Sequence, residues 1–161
     1  MELRYKKLSF DDVYSLCLKL SEGILRYYGK DYEIITLIAI SRGGLVPARL
    51  IADLTSKKDI WTISAKSYID IDKREQVSIT QDVKTNLENR RILLIDDIAD
   101  SGNTIKTIKE LFELRGAKEV KSCTLHYKRK SVIEPDFYAE EVDNNVWIIY
   151  PWEIHEFNNK K

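Results

Sequence analysis

The sequence predicts one α/β domain built on a parallel β-sheet. Apolar runs typical of strands buried on both faces alternate with amphipathic segments of helical period, as in successive β-α-β units. The length of 161 residues fits a single domain, residues 1–161. Polar and glycine-rich segments directly follow the apolar runs. Because ligands of open parallel sheets bind outside the carboxyl ends of the strands, we expect a site at that edge.

The charge balance and the apolar runs exclude several classes of function. Lys plus Arg and Asp plus Glu each number 26, so a formal charge of zero favours neither nucleic-acid nor membrane binding. No apolar run approaches the roughly 20 residues that span a bilayer. The N-terminal segment lacks the apolar core of a signal peptide, so we expect a cytoplasmic protein. We expect Cys17 and Cys123 to be buried free thiols.

The first elements are a capped helix and a buried strand. Ser9 and Asp12 form a capping-box pattern, helical spacing continues to Tyr27, and Gly29 is a stop signal. Residues 34–40 are then nearly all apolar, which predicts a buried strand. The strand ends in Ser-Arg-Gly-Gly, residues 41–44, before a helix with Pro47 in its first turn.

The remaining elements repeat this alternation. We predict strands at residues 59–64, 91–97, 119–128 and 145–150, and a helix from Thr104 to near Gly116. Residues 65–89 are mostly polar, with a weak alternation around Val77 and Ile79, and we interpret them as a mobile arm or hairpin.

Residues 100–104 have the character of a phosphate site, and we call them the phosphate cradle. They are small and polar, and they open a helix whose first N–H groups are unpaired and carry the positive end of the dipole. Gly102 permits close approach of the backbone, and Ser101, Asn103 and Thr104 add donors. Neither a P-loop nor a dinucleotide-binding glycine pattern occurs.

Asp96 and Asp97 precede the cradle at the end of a strand. Neighbouring strand residues point to opposite faces, so we expect the two carboxylates to diverge. A carboxylate repels a phosphate unless ribose hydroxyls or Mg²⁺ lie between them, and Mg²⁺ prefers a few carboxylates together with substrate oxygens.

The run from Ile92 to Thr104 resembles the signature of type I phosphoribosyltransferases that binds phosphoribosyl pyrophosphate (PRPP), with Ser101 where Thr is commonest. The resemblance implies that family's fold, a central parallel sheet flanked by helices with a flexible lid and a small C-terminal hood. It implies that the cradle, with Ala99 before it, holds the 5′-phosphate, and that Asp96 and Asp97 meet the ribose hydroxyls directly or through Mg²⁺. Asp100 matches the residue near N7 of the purine.

Residues 38–47 resemble the pyrophosphate loop of bacterial and archaeal xanthine-guanine and hypoxanthine-guanine phosphoribosyltransferases. This implies that Ser41, Arg42, Gly43 and Gly44, which we call the pyrophosphate loop, bind pyrophosphate through backbone amides and one guanidinium. In relatives the peptide before the Arg is often cis, so we expect a cis Ser41–Arg42 bond.

The lid and the hood follow from the same resemblance. Ser67 and Tyr68, followed by Lys73-Arg74-Glu75, resemble the lid, which we place at about residues 65–89. The hood occupies about residues 129–161. Lys128 is expected near O6 of the base, Trp147 stacks on the purine, and a backbone group of Ile148 contacts its edge.

Two departures from the family pattern bear on metal and substrate. Glu153, which the resemblance places with Asp96 and Asp97 at the metal, stands where relatives usually carry Asp, and Ile149 stands where some xanthine-using relatives carry an acid. The resemblance implies a Mg²⁺-dependent purine-salvage enzyme that joins PRPP to a 6-oxopurine to give a nucleoside monophosphate. Relatives are usually dimers or tetramers, so we expect a homodimer or homotetramer.

Three alternatives remain at this point. The same reaction could use adenine if the assignment of Lys128 to O6 is wrong. A regulator on this fold could bind PRPP or a nucleotide without turnover, although the hood and lid patterns argue against it. A phospho-accepting receiver domain also has acidic strand ends, but its acidic pair comes at the first strand, whereas Asp96 and Asp97 come late.

Overall fold

The computed structural model describes residues 2–69 and 75–159. Within these residues the chain forms eight strands, four α-helices and a 3₁₀ helix at Gly29–Ile34. In chain order the elements are β1 (Arg4–Lys7), α1 (Phe10–Tyr28), β2 (Ile35–Ser41), α2 (Leu45–Leu54), β3 (Ile60–Ile69), β4 (Glu75–Gln81), β5 (Arg91–Ala99), α3 (Asn103–Leu114), β6 (Glu119–Lys128), β7 (Phe137–Val142), β8 (Val146–Ile149) and α4 (Ile154–Asn159).

The main sheet has six strands in the order β4-β3-β2-β5-β6-β7. Every neighbouring pair is parallel except β3 and β4, which are antiparallel. The predicted fold class is therefore confirmed. The arm at residues 65–89 is in part a hairpin, because β3 continues to Ile69 beyond its predicted end and pairs with β4.

Two apolar clusters cover the two faces of the sheet. On β2, Leu37 and Ala39 pack with α1 and α2, whereas Ile38 and Ile40 pack with α3. This alternation explains why the strand reads as a continuous apolar run, since both of its faces are buried. Cys17 and Cys123 are buried free thiols, as predicted. In the described part of the chain, no helix is both long and apolar enough to cross a bilayer.

A capping box predicted from the sequence begins α1, whereas two strands were not predicted from the sequence. Ser9 Oγ accepts from the Asp12 N–H and the Asp12 carboxylate accepts from the Ser9 N–H, so the capping box is confirmed. The strands β1 and β7 were not predicted. The first is wholly polar apart from Tyr5, and it forms by parallel pairing with β8 in a separate two-stranded sheet.

Candidate active site

The segments singled out in the sequence converge at one edge of the main sheet. Parallel pairing of Ala39 with Ile95 and of Ala99 with Tyr127 brings the carboxyl ends of β2, β5 and β6 side by side. The pyrophosphate loop follows the first of these strands, the phosphate cradle follows the second, and Lys128 ends the third. The fold therefore brings together the segments that the sequence analysis assigned to one site.

Two adjoining cavities open at this edge and share Ile98, Asp100 and Trp147. The smaller, of about 190 Å³, is lined by Asp97, Ile98, Asp100, Lys128, Trp147, Ile148, Tyr150 and Glu153. The larger, of about 670 Å³, is lined by Ser67, Glu75, Asp96, Ile98, Asp100, Ser101, Gly102, Thr104, Ile105, Lys130 and Trp147. We call them the hood cavity and the cleft.

Asp96 and Asp97 line different cavities, as their strand positions predict, yet a hydrogen bond still joins their two carboxyl groups. Asp97 is buried and lines the hood cavity, whereas Asp96 is half-buried, lines the cleft and accepts the Asp97 N–H at 2.9 Å. Burial and then the charge of Glu153 raise the pKa of Asp97 to about 7. Burial and the neighbouring Asp97 raise the pKa of Asp96 well above its usual value. Two carboxyl groups thus lie where a compensating cation would lower both pKa values.

The chemistry of this donor set fits Mg²⁺. No group of three or more His, Cys, Asp or Glu residues in the described ranges could hold a metal by itself. Mg²⁺, however, is usually held by one or two carboxylates plus substrate oxygens and water, rather than by an all-protein cage. The adjacent pair Asp96 and Asp97, with Glu153 lining the same cavity as Asp97, meets that requirement.

The pyrophosphate loop is a tight turn packed against β5. The Ser41–Arg42 peptide is cis, as expected. The Gly44 N–H donates to Ile40 O at 2.8 Å, which closes the turn. A Cβ on Gly43 would lie 2.4 Å from the nearest carboxylate oxygen of Asp97, so a side chain there would displace that carboxylate. The Arg42 guanidinium is exposed and pairs with Glu156 on α4 at 2.6 Å.

The phosphate cradle begins α3 with Gly102 in the left-handed region, at φ 79°. Ser101, Gly102 and Thr104 line the cleft, whereas Ala99 is buried outside both cavities. Asn103 faces Glu75 of the neighbouring hairpin.

The Glu75 carboxylate, at the start of β4, accepts hydrogen bonds from side chains of the phosphate cradle. Asn103 Nδ2 donates to Glu75 Oε2 at 2.7 Å. Although burial raises it, hydrogen bonds from Asn103, Ser101 and Ser67 lower the pKa of Glu75 below its usual value. In the lid segment, Ser67 thus lines the cleft and Tyr68 is half exposed outside it, while Lys73 and Arg74 lie outside the described residues.

Asp100 joins the two cavities and contacts two ammonium groups. Lys128 Nζ lies 3.2 Å and Lys130 Nζ lies 2.7 Å from Asp100 Oδ1. Lys128 is only 3% exposed and projects into the hood cavity, whereas Lys130 lines the cleft. Lys130 was not predicted as a site residue, because nothing in its local pattern shows that it returns to Asp100.

The hood cavity has an aromatic wall. Trp147 is 48% exposed and borders both cavities, and Ile148 beside it is buried. Tyr150 is stacked on Trp152, with ring centroids 4.8 Å apart and planes 6° apart. Ile98 and Tyr150 were not predicted as lining residues. The alternation along β5 could have indicated the first, because Ile98 lies on the same face as Asp96.

Comparison with known proteins decides the family. The phosphoribosyl transferase domain family matches residues 9–156. The chain is a member of the phosphoribosyltransferase family.

Known proteins are similar to this chain over most of its length. The xanthine-guanine phosphoribosyltransferase of Chromohalobacter salexigens is 31% identical over 143 residues, which are 89% of this chain and 78% of the relative. A purine phosphoribosyltransferase from Pyrococcus horikoshii has a solved structure with a TM-score of 0.79 and 28% identity, covering 92% of this chain and 93% of its own. A hypothetical protein from Neisseria gonorrhoeae with bound ppGpp gives a TM-score of 0.80 at 25% identity, covering 99% and 96%.

Proposed function

We propose that this phosphoribosyltransferase serves purine salvage by transferring the 5-phosphoribosyl group of PRPP to N9 of a 6-oxopurine. Guanine, hypoxanthine and xanthine are the candidate bases, and the products are the nucleoside monophosphate and pyrophosphate. One observation carries the proposal: the hood cavity, with its buried Lys128 and its Trp147 wall, shares lining residues with the cleft that contains the phosphate cradle. The names of the similar proteins support a purine substrate.

PRPP would lie across the two glycine-containing loops. We place its 5′-phosphate on the phosphate cradle and its pyrophosphate on the pyrophosphate loop, where backbone N–H groups and the Arg42 guanidinium match a diphosphate. Arg42 would exchange its exposed partner Glu156 for the ligand. Asp96 and Asp97, with Glu153 near them, would hold Mg²⁺, which neutralises charge on the leaving pyrophosphate when it is bound.

The base would enter the hood cavity beneath Trp147. The indole stacks on the purine, a backbone group of Ile148 contacts its edge, and the Lys128 ammonium donates to O6. Asp100, which borders both cavities, accepts a proton or a hydrogen bond from N7 while N9 displaces pyrophosphate at C1 with inversion. We propose that the hairpin of the lid, residues 65–89, closes the cleft and excludes water during this step.

An assay of nucleotide formation tests the function. The purified protein is given PRPP and Mg²⁺ together with one base at a time: guanine, hypoxanthine, xanthine or adenine. We expect turnover of the oxopurines but not of adenine. Lys128→Met should reduce the guanine-over-adenine ratio of kcat/KM on the order of 100-fold, because it removes a charged hydrogen bond to O6. Lys130→Met is the matched control, since it removes the other ammonium on Asp100 but not the one in the hood cavity.

Other outcomes of this assay would change the assignment. Turnover of adenine alone would retain the reaction and overturn the role given to Lys128. PRPP binding without turnover of any base would instead indicate a regulator that senses PRPP or nucleotides. An unchanged base preference in Lys128→Met would remove Lys128 from base recognition.

Glu75→Gln is expected to lower KM for PRPP about fivefold with little change in kcat. The Glu75 carboxylate occupies donors that the 5′-phosphate would need, so only the fraction of enzyme in which Glu75 has left them can bind PRPP, and Glu75→Gln should increase that fraction. Steady-state kinetics against PRPP concentration measures the effect. Glu110→Gln removes the same charge from an exposed site on α3 and should leave KM unchanged. A higher KM in Glu75→Gln would show that Glu75 assists binding instead.

A further inference from the structure

A buried histidine and a buried tyrosine lie directly behind the acidic strand end. His126 is 0% exposed near the carboxyl end of β6, and its Nδ1 is 2.8 Å from Tyr150 Oη. The Tyr150 hydroxyl in turn donates to the backbone carbonyl of Asp97 at 3.0 Å. The path from β6 to Asp97 is thus two hydrogen bonds long and almost fully buried.

The hydrogens of this path can be assigned by counting donors. A tyrosine hydroxyl has one hydrogen, and the Asp97 carbonyl can only accept, so Tyr150 must give its hydrogen to Asp97. Tyr150 Oη therefore accepts from His126, which must carry its hydrogen on Nδ1. Burial lowers the pKa of His126 to about 4, which agrees with a neutral ring.

The opposite side of the imidazole faces the carboxylate of Glu140. His126 Nε2 lies 3.4 Å from Glu140 Oε2, and although burial lowers the pKa of His126 overall, this contact acts to raise it. The Glu140 carboxylate is already bound by Lys6 at 2.5 Å. The imidazole is therefore held from two sides, by Tyr150 at Nδ1 and by Glu140 at Nε2.

Tyr150 connects two parts of the site that belong to different segments of the chain. It follows β8, which carries Trp147 and Ile148, and its ring is stacked on Trp152. Its hydroxyl contacts the strand end that carries the acidic pair. One rigid side chain thus sets the spacing between the wall of the hood cavity and Asp97.

We propose that Tyr150, held by His126, is a positioning residue that fixes Asp97 relative to the purine hood. The inference rests on the proposed function, because the geometry in question is that between PRPP with its Mg²⁺ and the base. A displacement of about 1 Å between reacting groups can cost on the order of 100-fold in rate. Without the hydroxyl, the Asp97 carbonyl and His126 Nδ1 lose their buried partner and the strand end can shift.

Tyr150→Phe tests the proposal. We expect kcat to fall about 10- to 100-fold and both the half-saturating Mg²⁺ concentration and the calorimetric Kd of PRPP in the presence of Mg²⁺ to rise. KM for the base should change less than twofold, because the ring and its stack on Trp152 remain. Tyr28→Phe is the matched control, since that buried hydroxyl has no hydrogen-bond partner in the ranges described.

A pair of substitutions at His126 separates positioning from general stability. His126→Asn retains a donor near the Nδ1 position and should preserve most of the activity and the Mg²⁺ dependence, whereas His126→Leu should behave like Tyr150→Phe. This pair keeps the inference testable even if Tyr150→Phe folds poorly. Thermal unfolding of each variant shows how much folded protein was assayed.

Two results would overturn the inference, and they are distinguishable. The positioning role would be refuted if folded Tyr150→Phe kept the wild-type kcat and Mg²⁺ dependence. It would also be refuted if His126→Asn and His126→Leu had the same kcat and Mg²⁺ dependence as each other. Either result would leave the proposed function intact. Failure of the wild-type protein to bind PRPP or to convert any purine would refute the proposed function, and the inference with it.

Discussion

Asp100→Asn is expected to lower kcat by about 100-fold or more, with a smaller effect on KM for PRPP. Asp100 borders both cavities, so it is placed between the predicted ribose and the predicted N7 of the base. Asn keeps the size of the side chain but cannot accept the proton. A positioned base commonly contributes about 10²- to 10⁴-fold, which sets the size of the expected loss.

Steady-state kinetics between pH 6 and 9 would measure this loss. Asp53→Asn is a suitable control, because it makes the same substitution in an exposed i,i+4 pair with Arg49 on α2. The unfolding midpoint should be recorded as well, since Asp100→Asn leaves the buried Lys128 ammonium without its carboxylate. Near-normal kcat across this pH range would exclude Asp100 as the general base.

Gly44→Ala is expected to lower the free energy of unfolding by about 2–3 kcal/mol and to abolish most PRPP turnover. A Cβ at this position would lie 2.1 Å from Ile95 O and 2.8 Å from Ile40 O. Both obstacles are backbone atoms of central strands, so neither can move aside without disturbing the sheet. The turn would have to open instead, which breaks the hydrogen bond from Gly44 N to Ile40 O and displaces the pyrophosphate loop.

Gly23→Ala provides the matched control for this substitution. Gly23 lies inside α1 with no atom within 4 Å of an added Cβ, so the change should stabilise the protein by about 0.5–1 kcal/mol through helix propensity. Urea unfolding of both variants, together with PRPP kinetics, separates the two effects. A Gly44→Ala protein with wild-type stability and wild-type KM for PRPP would refute the packing argument.

Much of the site could be predicted because its signals are contiguous in the chain. The run from Ile92 to Thr104 contains the apolar strand, the acidic pair and the helix start within thirteen residues. Period-two alternation also predicted that Asp96 and Asp97 diverge, and they line different cavities. The Ser9–Asp12 capping box is a comparable local signal, and its hydrogen bonds form as expected.

Other features depend on residues that are far apart in the chain, and no local pattern encodes them. The polar segment Arg4–Lys7 becomes a strand only because β8 lies beside it, and Lys130 returns to Asp100 only because its loop folds back over the phosphate cradle. His126 occupies an ordinary strand position in the sequence. Its burial and its bond to Tyr150, 24 residues later, arise when the hood packs against β6. Periodicity and turn chemistry thus determined the sheet and the edge where the candidate site lies, whereas non-local packing decided which side chains meet there.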